Sequence, residues 1–326
     1  FARKSQLIMD TRINQPEINV GVDTGKYQLD IYIRPLGIFF SVSNDEEGIK
    51  EALCEIKKHS PQRIIIEATG RLEHAFIVAC SKANLPFVVA NPLQVKRFSG
   101  AIGRIAKTDP LDAQLIAHYG EAVKPKLSQL KPENISLMSD LLSRRRQLIT
   151  MQTMEKNRLK IMPKALACAI KPILTAIKNQ IEKVDKKLLK IIEECPEYQL
   201  KNDILQSMPG IGNIVAFSLL SDMPELGTIS NKQAAALVGV APFNRESGSY
   251  KGQRRIRGGR YQVRTVMFMA MMSAIQCNPL FKAKYEQLVA QGKPKKLAII
   301  ACVRKMIVIL NSMLRDGVKW ESDYAK

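Results

Sequence analysis

Ile18-Asn19-Val20-Gly21-Val22-Asp23 reads as a short apolar strand that ends on a carboxylate, and Ile64-Ile65-Ile66-Glu67 repeats the pattern. Short β-branched runs bounded by turn residues are strand signals, so the acid closing each run is delivered to an edge of a sheet. Two more carboxylates stand in Lys107-Thr108-Asp109-Pro110-Leu111-Asp112-Ala113. Pro110 suits the first turn of a helix, and the i, i+3 spacing puts Asp109 and Asp112 on one helical face. Acids brought to one edge have a strong physical use, which is to hold hard divalent cations through oxygen. Two such ions stabilise both the attacking and the leaving oxygen of a phosphoryl transfer. Asp23, Glu67, Asp109 and Asp112 are therefore a candidate catalytic and metal-binding set of the nuclease type.

Outward from these runs, residues 18–125 alternate between strand and helix patterns. Val20–Asp23, Leu29–Ile33 and Phe39–Val42 are β-rich runs separated by turn residues. Asp45–His59 predicts a helix with Ile49, Leu53 and Ile56 on one face. Ile64–Glu67 is a strand, Leu72 to Ala83 a helix and Phe87–Ala90 a strand, and Pro92 and Pro110 each open a helix. Periodicity establishes an α/β domain. Three strands, a helix, a strand, a helix and a strand is also the element order of the ribonuclease-H-like fold.

A polar connector from Pro125 to Pro132 leads into a helical region over 133–198. Ile173, Ile177, Ile181, Val184, Leu188 and Ile191 recur at steps of three and four, the seam of a coiled coil. Ser136 to Met162 supplies the antiparallel partner, and the expected role is a spacer or dimerisation arm. Arg144-Arg145-Arg146 on that helix either touch nucleic acid or are solvated. A third, mainly helical domain spans 202–320. It opens with Ser207-Met208-Pro209-Gly210-Ile211-Gly212 ahead of Asn213–Leu220, the pattern of a helix-hairpin-helix. Such a turn offers backbone N–H groups at a helix N-terminus to a DNA phosphate, which makes Gly210 and Gly212 candidate contacts. The competing reading is a tight turn between two packed helices.

From Pro242 to Arg264 small residues alternate with basic ones. Arg245, Lys251, Arg254, Arg255, Arg257 and Arg260 are candidate nucleic-acid ligands, because arginine forks fit phosphates and glycines permit close backbone approach. A hydroxyl in this setting, Ser247, Ser249 or Tyr250, is either a phosphate ligand or a nucleophile. No histidine is near in sequence to activate it. His59, His74 and His118 all fall in the first domain, without metal-ligand spacing, and read as surface or packing residues. A metal ion or an arginine would have to replace the missing base.

Composition narrows the class. The chain has 326 residues, room for two or three domains of roughly 100–200 residues each. Its 50 Lys and Arg against 30 Asp and Glu give a net charge of +20, which favours a polyanionic partner through counterion release. No uninterrupted apolar stretch is long enough to span a bilayer, and Phe1 to Glu17 lack a signal-peptide core. A cytoplasmic location without a membrane partner is expected. The six cysteines, Cys54, Cys80, Cys168, Cys195, Cys277 and Cys302, form no CxxC pair and read as small core residues in a reducing compartment.

Taken together, these motifs resemble the DEDD transposases of bacterial insertion sequences, the IS110 family. The likeness runs from about Val20 to Gly317. It rests on Gly21-Val22-Asp23-Thr24, Ile65-Ile66-Glu67-Ala68-Thr69-Gly70, Lys107 to Ala113, Pro209-Gly210-Ile211-Gly212 and Glu246-Ser247-Gly248-Ser249, in the family's order. The resemblance implies that Asp23, Glu67, Asp109 and Asp112 hold Mg²⁺ (or Mn²⁺) and that Ser247 attacks a DNA phosphodiester, giving a phosphoserine link. It also implies double-stranded DNA, both element ends and target, as partner. Further, it implies a homo-oligomer, dimer or tetramer, with composite active sites, and for some members a guide RNA. A RuvC-like structure-specific endonuclease using water would share the acids and the charge but would not need the serine loop. A sugar kinase or actin-like ATPase would need a second phosphate loop that the chain lacks. A non-catalytic DNA-binding protein would leave four acids idle, and a tyrosine recombinase through Tyr250 would need an Arg-His-x-x-Arg cluster.

Overall fold

Valine and isoleucine at alternate positions build the sheet of the first unit. The computed structural model describes residues 16–103, 109–130, 132–247 and 250–321. Lys107, Thr108, Gly248 and Ser249 lie outside the described residues, as do the side chains of Asp109, Arg245, Glu246, Tyr250 and Lys251. The chain divides into two compact units, residues 1–131 and 132–326.

In the first unit β1 (Asn19–Thr24), β2 (Gln28–Arg34), β3 (Ile38–Ser43), α1 (Glu46–Lys58), β4 (Arg63–Glu67), α2 (His74–Lys82), β5 (Phe87–Ala90), α3 (Pro92–Ala101) and α4 (Asp109–Val123) follow in order. The sheet order is β3-β2-β1-β4-β5. β1, β2 and β3 pair antiparallel, whereas β4 runs parallel to both β1 and β5. Strand period two sorts the side chains onto two faces. Val20, Val22, Leu29, Ile31, Ile33, Ile64 and Ile66 pack with Ile49, Leu53 and Ile56 of α1 and Phe76 of α2. On the other face Ile65, Val88 and Ala90 pack with Val95 of α3 and with Leu115, Ile116 and Tyr119 of α4. The sheet is thus covered on both sides. α1 starts where Asp45 accepts the Gly48 N–H at 2.9 Å, and that bond holds the Asp45 carboxyl below its ordinary pKa.

Gly21 seats α4 on the sheet. A Cβ at this position would lie 2.1 Å from the Ala113 carbonyl oxygen and 2.4 Å from the Ala117 nitrogen. Both are backbone atoms, so no rotamer change relieves the clash and the helix would have to lift. We expect Gly21→Ala to destabilise the unit at or above the upper end of the about 1–3 kcal/mol typical of overpacking. A thermal melt with an unshifted midpoint would show that α4 does not bear on β1 in solution.

The second unit contains α5 (Glu133–Ile161), α6 (Ala167–Glu193), α7 (Pro196–Gln206), α8 (Asn213–Asp222), α9 (Asn231–Val238), β6 (Pro242–Ser247), β7 (Tyr250–Ile256), α10 (Tyr261–Cys277), α11 (Pro279–Ala290) and α12 (Lys295–Asp316). Met138, Leu142 and Leu148 of α5 share a core with Ile177, Ile181, Val184, Leu188 and Ile191 of α6. Ile173, expected in that seam, is 47% exposed, because the last buried residue of α5 is Leu148. Arg144, Arg145 and Arg146 of α5 are engaged within the unit. Arg145 grips Asp185 of α6 at 2.6 and 3.3 Å, Arg146 stands 3.8 Å from Asp222, and Arg144 donates to Gln147.

α12 is long and apolar enough, by length and composition, to cross a membrane, which the sequence reading did not foresee. Ala298, Ile299, Cys302, Val303, Met306, Ile307, Leu310 and Met313 are instead core residues of this unit. Buried Asn311 on the same helix donates to the Ile229 carbonyl and to Asn231, each at 2.9 Å, and accepts from the Gly227 N–H at 2.8 Å. The cysteine reading also needs correction. Cys80 and Cys302 are buried, but Cys54, Cys168 and Cys277 are exposed because they fall on the solvent sides of their helices. Burial pushes the Cys80 thiol up to about 12, so it stays protonated and inert.

Candidate active site

The two strand-ending acids are brought side by side by parallel pairing. Val22 lies beside Ile66, so Asp23 and Glu67, one residue further along β1 and β4, close the same edge of the sheet. Period two places Asp23 on the face of Gly21, which carries α4, and Glu67 on the face of Ile65, which packs against α4. Both are half-buried.

The direction of α4 completes the set. Gln114 donates to the Tyr32 hydroxyl at 3.4 Å, and Arg34 donates to Glu121 at 2.7 Å. Tyr32 is the partner of Gly21 and Arg34 the partner of Asn19. The helix therefore runs antiparallel to β1 and starts at the edge where Asp23 and Glu67 stand. Asp112, half-buried in its first turn, and Asp109, its first residue, are placed there by the backbone. Acids also suit a helix N-terminus electrostatically.

Pairing adds a residue that the sequence reading missed. Asp30 of β2 lies directly opposite Asp23 and is only 7% exposed. Its Oδ1 accepts from Gln28 at 2.7 Å and from the Ser41 hydroxyl at 2.5 Å. The alternation Gln28-Leu29-Asp30-Ile31-Tyr32-Ile33-Arg34 carried the signal, since it sets Asp30 on the polar face. Just past the acids, the Thr24 and Thr69 hydroxyls are hydrogen-bonded, tying β1 to the loop after β4. Glu73 caps that loop by accepting from the N–H groups of Thr69 at 3.2 Å and Arg71 at 2.9 Å.

The donor chemistry fits a hard divalent cation, with carboxylate oxygens from adjacent strand ends and a helix start and neither thiolate nor imidazole among them. Among the described side chains no three acids already converge as a ligand set; the Asp109 carboxylate is outside that description. Two histidines have defined contacts, one with an aromatic ring and one with a carboxylate. His118 meets Phe98 edge-on at 5.1 Å, and His59 lies 3.4 Å from Glu55.

In the second unit β6 and β7 form a two-stranded hairpin with Ser247 opposite Tyr250 at its tip. Ser247 is exposed, as are Arg254, Arg255 and Arg257 along and beyond the return strand. Arg245 and Lys251 lie on facing strands of the hairpin backbone. Arg260 sits apart from them. It holds Glu225 through two 2.6 Å bonds and the Asp222 carbonyl at 2.9 Å, and the Glu225 bond raises its pKa. With the Arg260 N–H on the Leu237 carbonyl at 2.6 Å and Arg264 on the Gly258 carbonyl at 2.6 Å, it anchors the foot of the hairpin to α9.

The turn between α7 and α8 divides its two glycines. Gly210 has φ +102°, and a Cβ there would lie 2.5 Å from that of Ala274 in α10. Packing alone therefore requires glycine at 210. Gly212 caps α8, is exposed and has open space where a Cβ would stand, so a phosphate can approach the first N–H groups of α8.

Comparison with known proteins agrees with this layout. A profile of the DEDD transposase domain of IS110 elements, described as "Transposase", matches residues 20–162. A second, described as "Transposase IS116/IS110/IS902 family", matches residues 202–286. The chain is 29% identical over 295 residues to the pilin gene-inverting protein of Moraxella bovis, covering 84% of this chain and 88% of that protein. The Moraxella lacunata protein of the same name matches equally. An uncharacterized protein of the insertion element IS110 in Streptomyces coelicolor is 32% identical over 152 residues, 46% of this chain and 36% of that protein. The first profile covers the acidic edge and the second covers the serine hairpin, and with both parts present in order the chain belongs to the IS110 family of DEDD-type transposases.

Proposed function

We propose that this transposase cuts and joins DNA through Ser247, whose hydroxyl forms a phosphoserine link to one strand. The observation that carries the reading is the exposed place of Ser247 at a hairpin tip whose return strand bears Arg254 and Arg255, with Arg257 just beyond. Phosphates held by the guanidinium groups would lead the DNA strand along the hairpin towards the hydroxyl at its tip. In the attack an Oγ–P bond forms, the bond from phosphorus to a sugar oxygen breaks, and the serine proton ends on the departing oxygen. The phosphodiester bond energy is conserved, so a second strand's hydroxyl reverses the step without a high-energy cofactor.

Asp23, Glu67, Asp109 and Asp112 would hold Mg²⁺ or Mn²⁺. Bound there, the ions supply charge stabilisation and help ionise the hydroxyl, which removes the need for a histidine base. Asp30 supports the set by fixing β2 against β3 beneath it. We read the first unit as a ribonuclease-H-like, RuvC-like domain and the α7–α8 turn as a helix-hairpin-helix that contacts phosphate through Gly212. α5 and α6 form a coiled-coil arm that dimerises the chain, so that the acids of one subunit serve the serine of another. The +20 charge supports double-stranded DNA and a guide RNA as partners of a cytoplasmic enzyme. A second reading is favoured by the likeness to pilin gene-inverting proteins over 84% of this chain: the same strand exchange, applied to two inverted sites in one DNA, inverts the segment between them.

Trapping tests the reading. The protein, with any co-purifying RNA, is incubated with Mg²⁺ and DNA flanking its own gene and then digested for mass spectrometry. The expected result is a nucleotide on Ser247 that is absent in EDTA. Cleavage without an adduct would replace the reading with a RuvC-like endonuclease that uses water.

The arginines give a separate expectation. Arg254→Ala and Arg257→Ala should each weaken binding to all sequences alike and reduce the slope of log K against log salt by about one. A slope equal to that of the unsubstituted chain would place these side chains away from phosphate.

A further inference from the structure

The turn that joins β1 to β2 stands on the acidic edge and carries an aromatic ring with no place in the core. Tyr27 is 76% exposed, although the backbone that presents it is fixed on every side. The Gly25 N–H donates to the Gln28 carbonyl at 2.9 Å, and the Asn44 N–H donates to the Tyr27 carbonyl at 2.9 Å. Asn44 also donates through its side chain to the carbonyls of Gly25 at 2.9 Å and Leu72 at 3.3 Å. This locks the turn to the loop after β4, the same loop that the Thr24–Thr69 bond secures. The Lys26 ammonium lies 4.8 Å from the centre of the Tyr27 ring. That loop also contributes exposed Arg71, held at φ +89°.

A large planar ring held in water on a turn tied by four hydrogen bonds, with a cation over one face, the other face open to a base, and carboxylates beginning four residues before it, has the chemistry of a nucleobase platform. Bases stack on aromatic faces whatever their sequence, while nearby cations take the flanking phosphates. A paired base inside a duplex cannot offer its face, so the ligand is an unpaired base. We propose that Tyr27 stacks on an unpaired nucleobase of the DNA strand that lies on the Asp23–Glu67 edge, with Lys26 beside its phosphate. The inference rests on the strand-joining reading above for the identity of the strand, and it adds a positioning residue to that reading.

Photocrosslinking of the full-length protein tests it. A single-stranded oligothymidylate carrying one 5-iodouracil is irradiated with the protein, and adducts are mapped by mass spectrometry. The expected adduct is on Tyr27. Tyr27→Phe should keep single-strand affinity, whereas Tyr27→Ala should lose about tenfold, the order expected for one stacked base. Tyr27→Ala should also raise the DNA concentration needed for half-maximal strand joining while leaving duplex binding unchanged. Adducts that map elsewhere, or a Tyr27→Ala protein with unchanged single-strand affinity, would overturn the platform. A chain that crosslinks through Tyr27 but neither cuts nor joins DNA would instead overturn the functional reading and leave the platform standing.

Discussion

Asp23→Asn should reduce strand cleavage and joining by about a thousandfold or more while leaving the melting temperature and DNA affinity close to those of the unsubstituted chain. The substitution keeps volume and hydrogen-bonding capacity but removes the charge that an oxygen ligand supplies to a divalent cation. Loss of a correctly held catalytic metal removes several kcal/mol of transition-state stabilisation, and about 4 kcal/mol corresponds to a thousandfold in rate. Stability changes little because Asp23 is half-buried at the end of β1, beyond Val20 and Val22, which carry the packing. Glu67→Gln should behave alike, since parallel pairing puts it next to Asp23. The measurement is recombination of a supercoiled plasmid bearing the element ends, with Mg²⁺ and with EDTA. Turnover of either variant near that of the unsubstituted chain would sink the metal assignment for that residue. Inactivity accompanied by a lowered melting temperature would mean the acid is structural.

Ser247→Ala carries the other large effect, which separates binding from chemistry. The variant should bind DNA as before, because the arginines of β7 are untouched, and should yield no covalent protein–DNA product and no strand transfer above background. Its fold should be unaffected, since Ser247 is exposed at a hairpin tip and takes no part in the core. A nucleophile has no partial substitute, so the loss should be as large as the assay can resolve. Denaturing gel electrophoresis of labelled element ends reads it directly. A Ser247→Ala protein that still forms the adduct, together with an inactive Ser249→Ala protein, would transfer the role to Ser249. Activity in both variants would remove the serine mechanism while leaving the acidic edge in place.

Much of this architecture was legible in the sequence because it is decided locally. The strand ends at Asp23 and Glu67 follow from β-branched runs that stop on a polar residue. The helix expected from Asp45 to His59 is bounded by those residues, since Asp45 bonds its own first turn and His59 closes the last. Pro92 opens α3, and Asp109 and Pro110 open α4. The hairpin around Ser247 was visible only as a change in composition, because its strands are polar and too rich in glycine and arginine to show alternation. The arginines of α5 looked available in sequence, yet Arg145 and Arg146 are paired with Asp185 and Asp222.

The sequence by itself pointed to the candidate acids and to the basic cluster, because each is announced by neighbours within a few positions, whereas among the hydroxyls Ser247, Ser249 and Tyr250 only the family resemblance singled out Ser247. Tertiary structure alone decided that Asp30 faces Asp23, that Gly21 lies beneath Ala113 and that Gly210 lies against Ala274. It alone committed Arg260 to Glu225 while Arg254, Arg255 and Arg257 are exposed, and left Tyr27 standing in water at the acidic edge. The physical reason is common to all of these. Strand pairing and helix contact join atoms distant along the chain, and a side chain's partner depends on the register and approach of the opposing element, which no local pattern encodes.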